Sequence, residues 1–143
     1  VFIETEQKLA ALETDARHVV NFRTGTIYGP GREHRNELRH IAGKQIPFDG
    51  KSDAMLIHRD DVVRGIAFAI EKQLSGLFNL FNDIPENKED FFARVAKREG
   101  LEPVIWLGVV KGPKAVSNAR IKATGFTFAD PLGAREGDNL LAG

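Results

Sequence analysis

The chain has 143 residues, 42% hydrophobic and 28% charged, which is ordinary folded material with enough length for one domain around one core. Its 20 Lys and Arg balance its 20 Asp and Glu, so it lacks the basic excess that marks a dedicated nucleic-acid or membrane-surface binder. It has no cysteine, which excludes disulfides and thiolate metal sites and fits a cytoplasmic location.

No apolar run approaches the roughly 20 residues of a membrane span. The segment Val1 to Glu6 lacks the charged head and apolar core of a signal peptide, and the only methionine is Met55. Val1 is therefore not required to be the biological start. Residues Ile3 to Glu13 are rich in Glu, Ala, Leu and Lys, and predict a helix with Leu9 and Leu12 on one side. His18 to Phe22 predicts a short strand through β-branched Val19 and Val20. A glycine-rich turn, Thr24 to Gly31, follows. Glu33 to Ala42 predicts a short polar helix closed by Gly43.

Gln45 to Ile57 predicts irregular or hairpin structure about Asp49-Gly50, ending in a strand at Ala54 to Ile57. Asp60 to Lys72 predicts a helix with Asp60 as its N-cap and Val63, Ile66, Ala67 and Ile70 as its apolar face. Leu77 to Phe81 reads as a strand. Asn87 then caps a helix that carries Phe91, Phe92 and Val95 and stops at Gly100. Val104 to Leu107 and Phe126 to Phe128 are short strand candidates. Asn118 to Ala123 predicts a short helix, and residues 135–141 a terminal one. The alternation of helices and strands implies an α/β fold with some parallel pairing.

Four segments, taken together, resemble the extended and atypical short-chain dehydrogenase/reductases, the NAD-dependent epimerase/dehydratase group. Phe22 to Arg32 resembles an "R-x-x-x-x-YGPG-R" strand end, and Leu56 to Val63 an "IHxDDV" helix entry. Gly76 to Leu80 is similar to a "G-x-(Y/F)-N-(V/L)" strand, and Asn118 to Ile121 with Gly125-Phe126 to an "N-x-(K/R)…LGF" tail. Their order and spacing cover nearly the whole chain. The resemblance implies the C-terminal portion of a Rossmann-like NAD(P)-binding fold plus a small substrate-binding lobe. Residues 1–31 and 54–100 would supply the sheet-and-helix portion, and residues 32–53 and 101–143 the lobe, within a single partial domain.

The family's G-x-x-G-x-x-G turn, whose backbone N–H groups hold the cofactor pyrophosphate, has no counterpart here. Gly29-Pro30-Gly31 comes nearest, but His34 stands where a third glycine is needed. Nor is there a Tyr-x-x-x-Lys pair, since Arg32 follows the sole tyrosine, Tyr28. The first, nucleotide-binding half is thus expected to be absent, no catalytic residue is assigned, and NAD or NADP is expected to be bound by a full-length parent rather than by this chain alone.

The resemblance implies that Thr24 and Gly25 face the cofactor carboxamide through backbone groups, and that Thr26, Tyr28 and Arg32 face the substrate, a small molecule that could be nucleotide-sugar-like. Read without the family, the same segment is a strand-to-loop turn needing Gly and Pro for its dihedrals. Arg32, Arg35 and Arg39 are spaced to share a helix face that could meet phosphate, but Glu33 and Glu37 interleave with them and favour local ion pairs. His58, Asp60 and Asp61 allow an acid/base reading, although helix capping accounts for them more simply. His34, Glu37 and His40 spread too widely around a helix to converge on a metal. The aromatic residues read as core. Competing functions are a substrate-binding part of an oxidoreductase, epimerase or dehydratase, and a non-catalytic interaction module that could form a homo-oligomer. Open sheet edges would leave such a monomer marginal and prone to aggregate.

Overall fold

The structure is a computed structural model that describes residues 2–84, 86–112 and 116–133, so the helix expected at 135–141 lies outside the described residues. Helix α1, Phe2–Ala10, stops three residues short of the predicted end. Strand β1, Val20–Thr24, lies parallel to β5, Gly76–Leu80, with Val20 beside Gly76 and Thr24 beside Leu80. The turn after β1 contains an unpredicted strand, β2, Thr26–Tyr28. It runs parallel to β4, Leu56–His58, in a register that joins Tyr28 to His58.

The third pair is β3, Gln45–Phe48, with β6, Ile105–Val110, again parallel. No hairpin forms at Asp49-Gly50. The Asp49 side chain accepts from the Lys51 N–H at 2.9 Å, and Gly50 packs against the Trp106 side chain, where a Cβ would come within 2.7 Å of Cγ. The partner of β3 is thus drawn from far along the chain. The expected strand at Phe126 to Phe128 is irregular backbone.

Helix α2 is His34–Ile41, followed by Gly43 at φ +69° in the left-handed region. Arg32 falls outside α2, in a tight turn whose N–H donates to the Gly29 carbonyl at 2.8 Å, so it shares no helix face with Arg35 and Arg39. Helix α4, Lys88–Glu99, begins as its sequence dictates: Asn87 Oδ1 accepts from the Asp90 N–H at 2.8 Å and Gly100 closes it at φ +66°. Helix α5, Ala119–Ala123, is a single short turn.

Helix α3, Arg59–Glu71, departs twice from expectation. Its N-cap is His58, whose Nδ1 accepts from the Asp60 N–H at 3.1 Å, while Asp60 is the second residue of the first turn. Its predicted apolar face is exposed: Val63, Ile66 and Ala67 point outward and Ile70 is 74% accessible. The buried side is built from small residues, Gly65 and Ala69, flanked by Val62 and Phe68. A Cβ on Gly65 would meet Leu80 Cδ2 at 3.0 Å, so close approach to β5 selects the side that packs. Between Val62 and Ile70 the helix is apolar on both sides apart from Arg64, and periodicity alone does not say which side a neighbour covers.

The buried residues form two clusters. One gathers Tyr28, Leu38, Ala54, Leu56, Phe91 and Val95 around α2 and α4; the other gathers Ile57, Phe78, Leu80, Ile121 and Phe126 around β5 and α5. The β2–β4 pair stands between them. Side chains alternate along a strand, so Ile27 and Ile57 point to one cluster while Tyr28 and Leu56 point to the other.

Candidate functional site

Ligands of parallel α/β sheets gather at the carboxyl ends of the strands. Here β1 and β5 end side by side at Thr24 and Leu80, and a cleft of about 290 Å³ opens there between Arg23, Thr24, Met55, Asn79, Phe81 and Val116. Through Met55, Phe81 and Val116 it continues into a second cleft of about 430 Å³, walled by Asp53, Asn82, Asp83, Ser117 and Asn118.

Local bonds fix these walls. Arg23 donates twice to the Glu6 carboxylate, at 2.7 and 2.6 Å, and this holds Glu6 below the usual carboxylate range. Asn79 Nδ2 donates to the Ser117 carbonyl at 2.9 Å. Asn118 Nδ2 donates to the Phe81 carbonyl and to Asp83 Oδ1, both at 2.8 Å, and Lys122 Nζ lies 2.9 Å from Asp83 Oδ2. Burial works to raise the Asp83 pKa, but the bonds from Asn118 and Lys122 prevail and hold it below its ordinary value. The Asp83 carboxylate in the second wall is therefore paired from behind.

The turn that follows β1 is steered by its glycine. A Cβ on Gly25 would lie 2.6 Å from the Met55 carbonyl oxygen and 2.7 Å from its carbon. Only glycine lets the backbones cross so closely, with the Gly25 N–H donating to Leu80 O at 3.2 Å and the Thr26 N–H to Met55 O at 2.9 Å. Thr24 lines the cleft, and Thr26, two residues on, is exposed.

Tyr28 points the other way. It is 1% accessible, and its hydroxyl donates to Asp130 Oδ2 at 2.5 Å and accepts from Asn82 Nδ2 at 3.3 Å. Burial first, and then the Asp130 carboxylate, push the phenol well above its ordinary pKa, so it stays protonated. Arg32 is exposed, stands 3.4 Å from Glu37, and lines neither cleft. Of the five, Thr24 lines the cleft, Gly25 and Thr26 follow it in the turn and line neither cleft, Tyr28 is directed into the core and Arg32 to the surface.

Behind the clefts lies a buried polar group. Asp61 accepts from the Ala129 N–H at 2.9 Å and the Asp130 N–H at 3.0 Å, and Arg64 donates to it at 2.6 Å. Asn82 also donates to the Asp130 carbonyl at 3.2 Å. His34 is packed between the rings of Tyr28 and Phe91, at centroid separations of 4.5 and 4.8 Å. Burial, aided by the positive charges of Arg98 and Arg94, lowers its pKa to about 4. His34 is enclosed while His40 is exposed, so the two do not converge. His58, Asp60 and Asp61 serve as helix start and tether.

Sequence reasoning missed Met55, Asn82, Val116 and Asp130 altogether. Asn79 and Asn118 stood inside quoted motifs without a role, and their positions in those motifs were the only available signal.

Neither a family model nor a curated protein sequence matches the chain. Solved structures do. A functionally unknown conserved protein from Silicibacter pomeroyi superposes with a TM-score of 0.68 at 23% identity, over 90% of this chain and 50% of its own. A protein from Methylobacillus flagellatus assigned to the NAD-dependent epimerase/dehydratases gives 0.65 at 28% identity, over 90% and 46%. The human epimerase family protein SDR39U1 (isoform 2), solved with NADPH, gives 0.65 at 19% identity, over 84% and 47%. The fold is that of the Rossmann-like NAD-dependent epimerase/dehydratase proteins. The chain spans about half the length of the structures it matches. Among the described residues no helix is long and apolar enough to cross a membrane.

Proposed function

We propose that the chain is the substrate-binding, C-terminal part of an NAD(P)-dependent oxidoreductase, epimerase or dehydratase that transfers a hydride at a carbonyl or sugar-like carbon. The observation that carries this reading is the cleft at the joined carboxyl ends of β1 and β5, walled by Thr24, Met55, Asn79 and Val116. In this reading the backbone of Thr24 and Gly25 faces the nicotinamide end of the cofactor, and Thr26 faces the substrate. Arg32 is near enough in sequence to meet an anionic substrate group only if its exposed side chain swings from Glu37. Tyr28 acts from behind, holding the turn rather than touching ligand. NAD or NADP, when bound, would take up or return the hydride. This chain contributes the pocket wall, and the sequence has no glycine-rich turn for the pyrophosphate.

The test is an NMR titration of the chain with NADPH and, separately, with UDP-glucose as a nucleotide-sugar probe. The expected outcome is weak binding of UDP-glucose, with amide shifts confined to Thr24, Gly25, Thr26, Met55, Asn79 and Val116 and abolished by Thr24→Arg, and no binding of NADPH, which needs the pyrophosphate turn of a longer parent. Shifts centred elsewhere, or none with UDP-glucose, would sink the reading and leave a non-catalytic interaction module.

A further inference from the structure

Neither the four residues of β3 nor the six of β6 include a charge. One face of this ribbon is covered. Ile46 and Trp106 pack on the cluster around α2 and α4, and the Trp106 ring lies 5.8 Å from that of Phe92. The opposite face is open. Gln45 and Ile105 stand side by side on it, Pro47 and Leu107 follow, and all four are exposed. Val109 beyond them is 72% accessible. Parallel strands are ordinarily covered on both faces, and a two-stranded sheet needs that cover for its stability. The edges of the ribbon are poorly suited to pairing. Pro47 removes a donor from β3, and the register shifts where Gly108 stands at φ +66°. Docking is thus left to the face. The ribbon also stands apart from β1 and α3. Those two pack on the cluster around β5, and the β2–β4 pair separates that cluster from the one beneath the ribbon.

We propose that the outer face of the β3–β6 ribbon is a self-association surface, and that its occupant is the same face of a second copy. The two ribbons stack about a two-fold axis that lies between them and crosses β6 at Leu107. Leu107 then meets the partner's Leu107, and Ile105 meets the partner's Val109. Charge selects this antiparallel sense. Exposed Glu102 precedes β6 and exposed Lys111 follows it, so each Glu102 approaches the partner's Lys111 while no charge is buried between the faces. A parallel stack would set like charges together. The area is also sufficient. Gln45, Pro47, Ile105, Leu107 and Val109 offer roughly 500 Å² per copy, or about 1,000 Å² in a symmetric pair, the size at which specific interfaces begin. An interface of that size holds in the micromolar range.

The test is sedimentation equilibrium of the chain across the micromolar range. The expected result is a monomer in exchange with a species of twice its mass. Leu107→Lys with Val109→Lys should raise the dissociation constant about tenfold or more, whereas Ile66→Lys with Ile70→Lys on α3 leaves it unchanged. A second measurement needs no introduced charge. The chain has no cysteine, so Leu107→Cys places a single thiol on the axis. Diamide is expected to join two copies through it, and to leave Ile70→Cys uncoupled under the same conditions. Four outcomes overturn the proposal: a monomer at every concentration, a pair that survives the Leu107 and Val109 changes, a pair dissolved by the Ile66 and Ile70 changes, or equal coupling through the two cysteines. The result stands apart from the ligand titration, because the ribbon face and the clefts share no residue.

Discussion

Gly25 is glycine for a steric reason, since the atoms its Cβ would strike belong to the Met55 backbone and have little freedom to give. Gly25→Ala is expected to destabilise the chain by about 1–3 kcal/mol in urea titration, the usual range for overpacking. Tyr28→Phe leaves Asp130 and Asn82 short of a buried partner and should lose about 1–3 kcal/mol in the same assay. His34 gives a pH signature. Its folded pKa of about 4 lies below the ordinary 6.5, so between those values the unfolded chain takes up a proton that the folded chain refuses. Its contribution is therefore fully present above pH 6.5 and is lost as pH falls toward 4, by roughly 3 kcal/mol. His34→Leu should flatten that part of the stability-versus-pH curve measured by denaturant titration. An unchanged slope would assign the acid sensitivity to other groups.

Elements were legible where their signals were local. Helix α4 was readable from Asn87, Asp90 and Gly100, all within one turn of its ends, and Asn87→Ala should lower the melting free energy by about 1 kcal/mol. Strand β2 was not, because three residues carry no periodicity and its partner, Leu56–His58, is distant in sequence. The parallel β3–β6 pair was hidden for the same reason, and Asp49-Gly50 offered a local hairpin that Trp106 displaced. At the cleft, Thr24 and Gly25 were legible through a motif, while Met55 and Val116 are ordinary apolar residues that only the fold brings together. Asp61 shows the limit most sharply. A carboxylate in a first helical turn reads as a favourable charge, yet this one holds the Ala129 and Asp130 amides from far along the chain. Asp61→Ala should cost about 3–5 kcal/mol and speed hydrogen exchange at those two amides, whereas loss of a dipole effect alone would cost under about 1 kcal/mol and leave them protected.

For the whole molecule, the balance is set by what remains uncovered. Ile3 and Leu9 on α1 and Leu12 just beyond it are exposed along with Ile66 and Ile70 on α3 and Val109 on β6. Spread over several elements, such side chains favour association once the chain is concentrated. The isolated chain is expected to bind a hydrophobic dye and to scatter light on heating, and Ile66→Lys with Ile70→Lys should reduce both while leaving the melting temperature within a few degrees. The β2–β4 ribbon governs how such a chain comes apart. Ile27 and Ile57 belong to one cluster, and Tyr28 and Leu56, their immediate neighbours, to the other. The ribbon is a party wall: neither room can be emptied without removing a face of the other. Loosening it from one side, as Ile57→Ala would, should be felt by probes on both, and the chain should melt in a single step. The same slender partition, three residues to a strand, is also the natural axis for any small tilt of one room against the other.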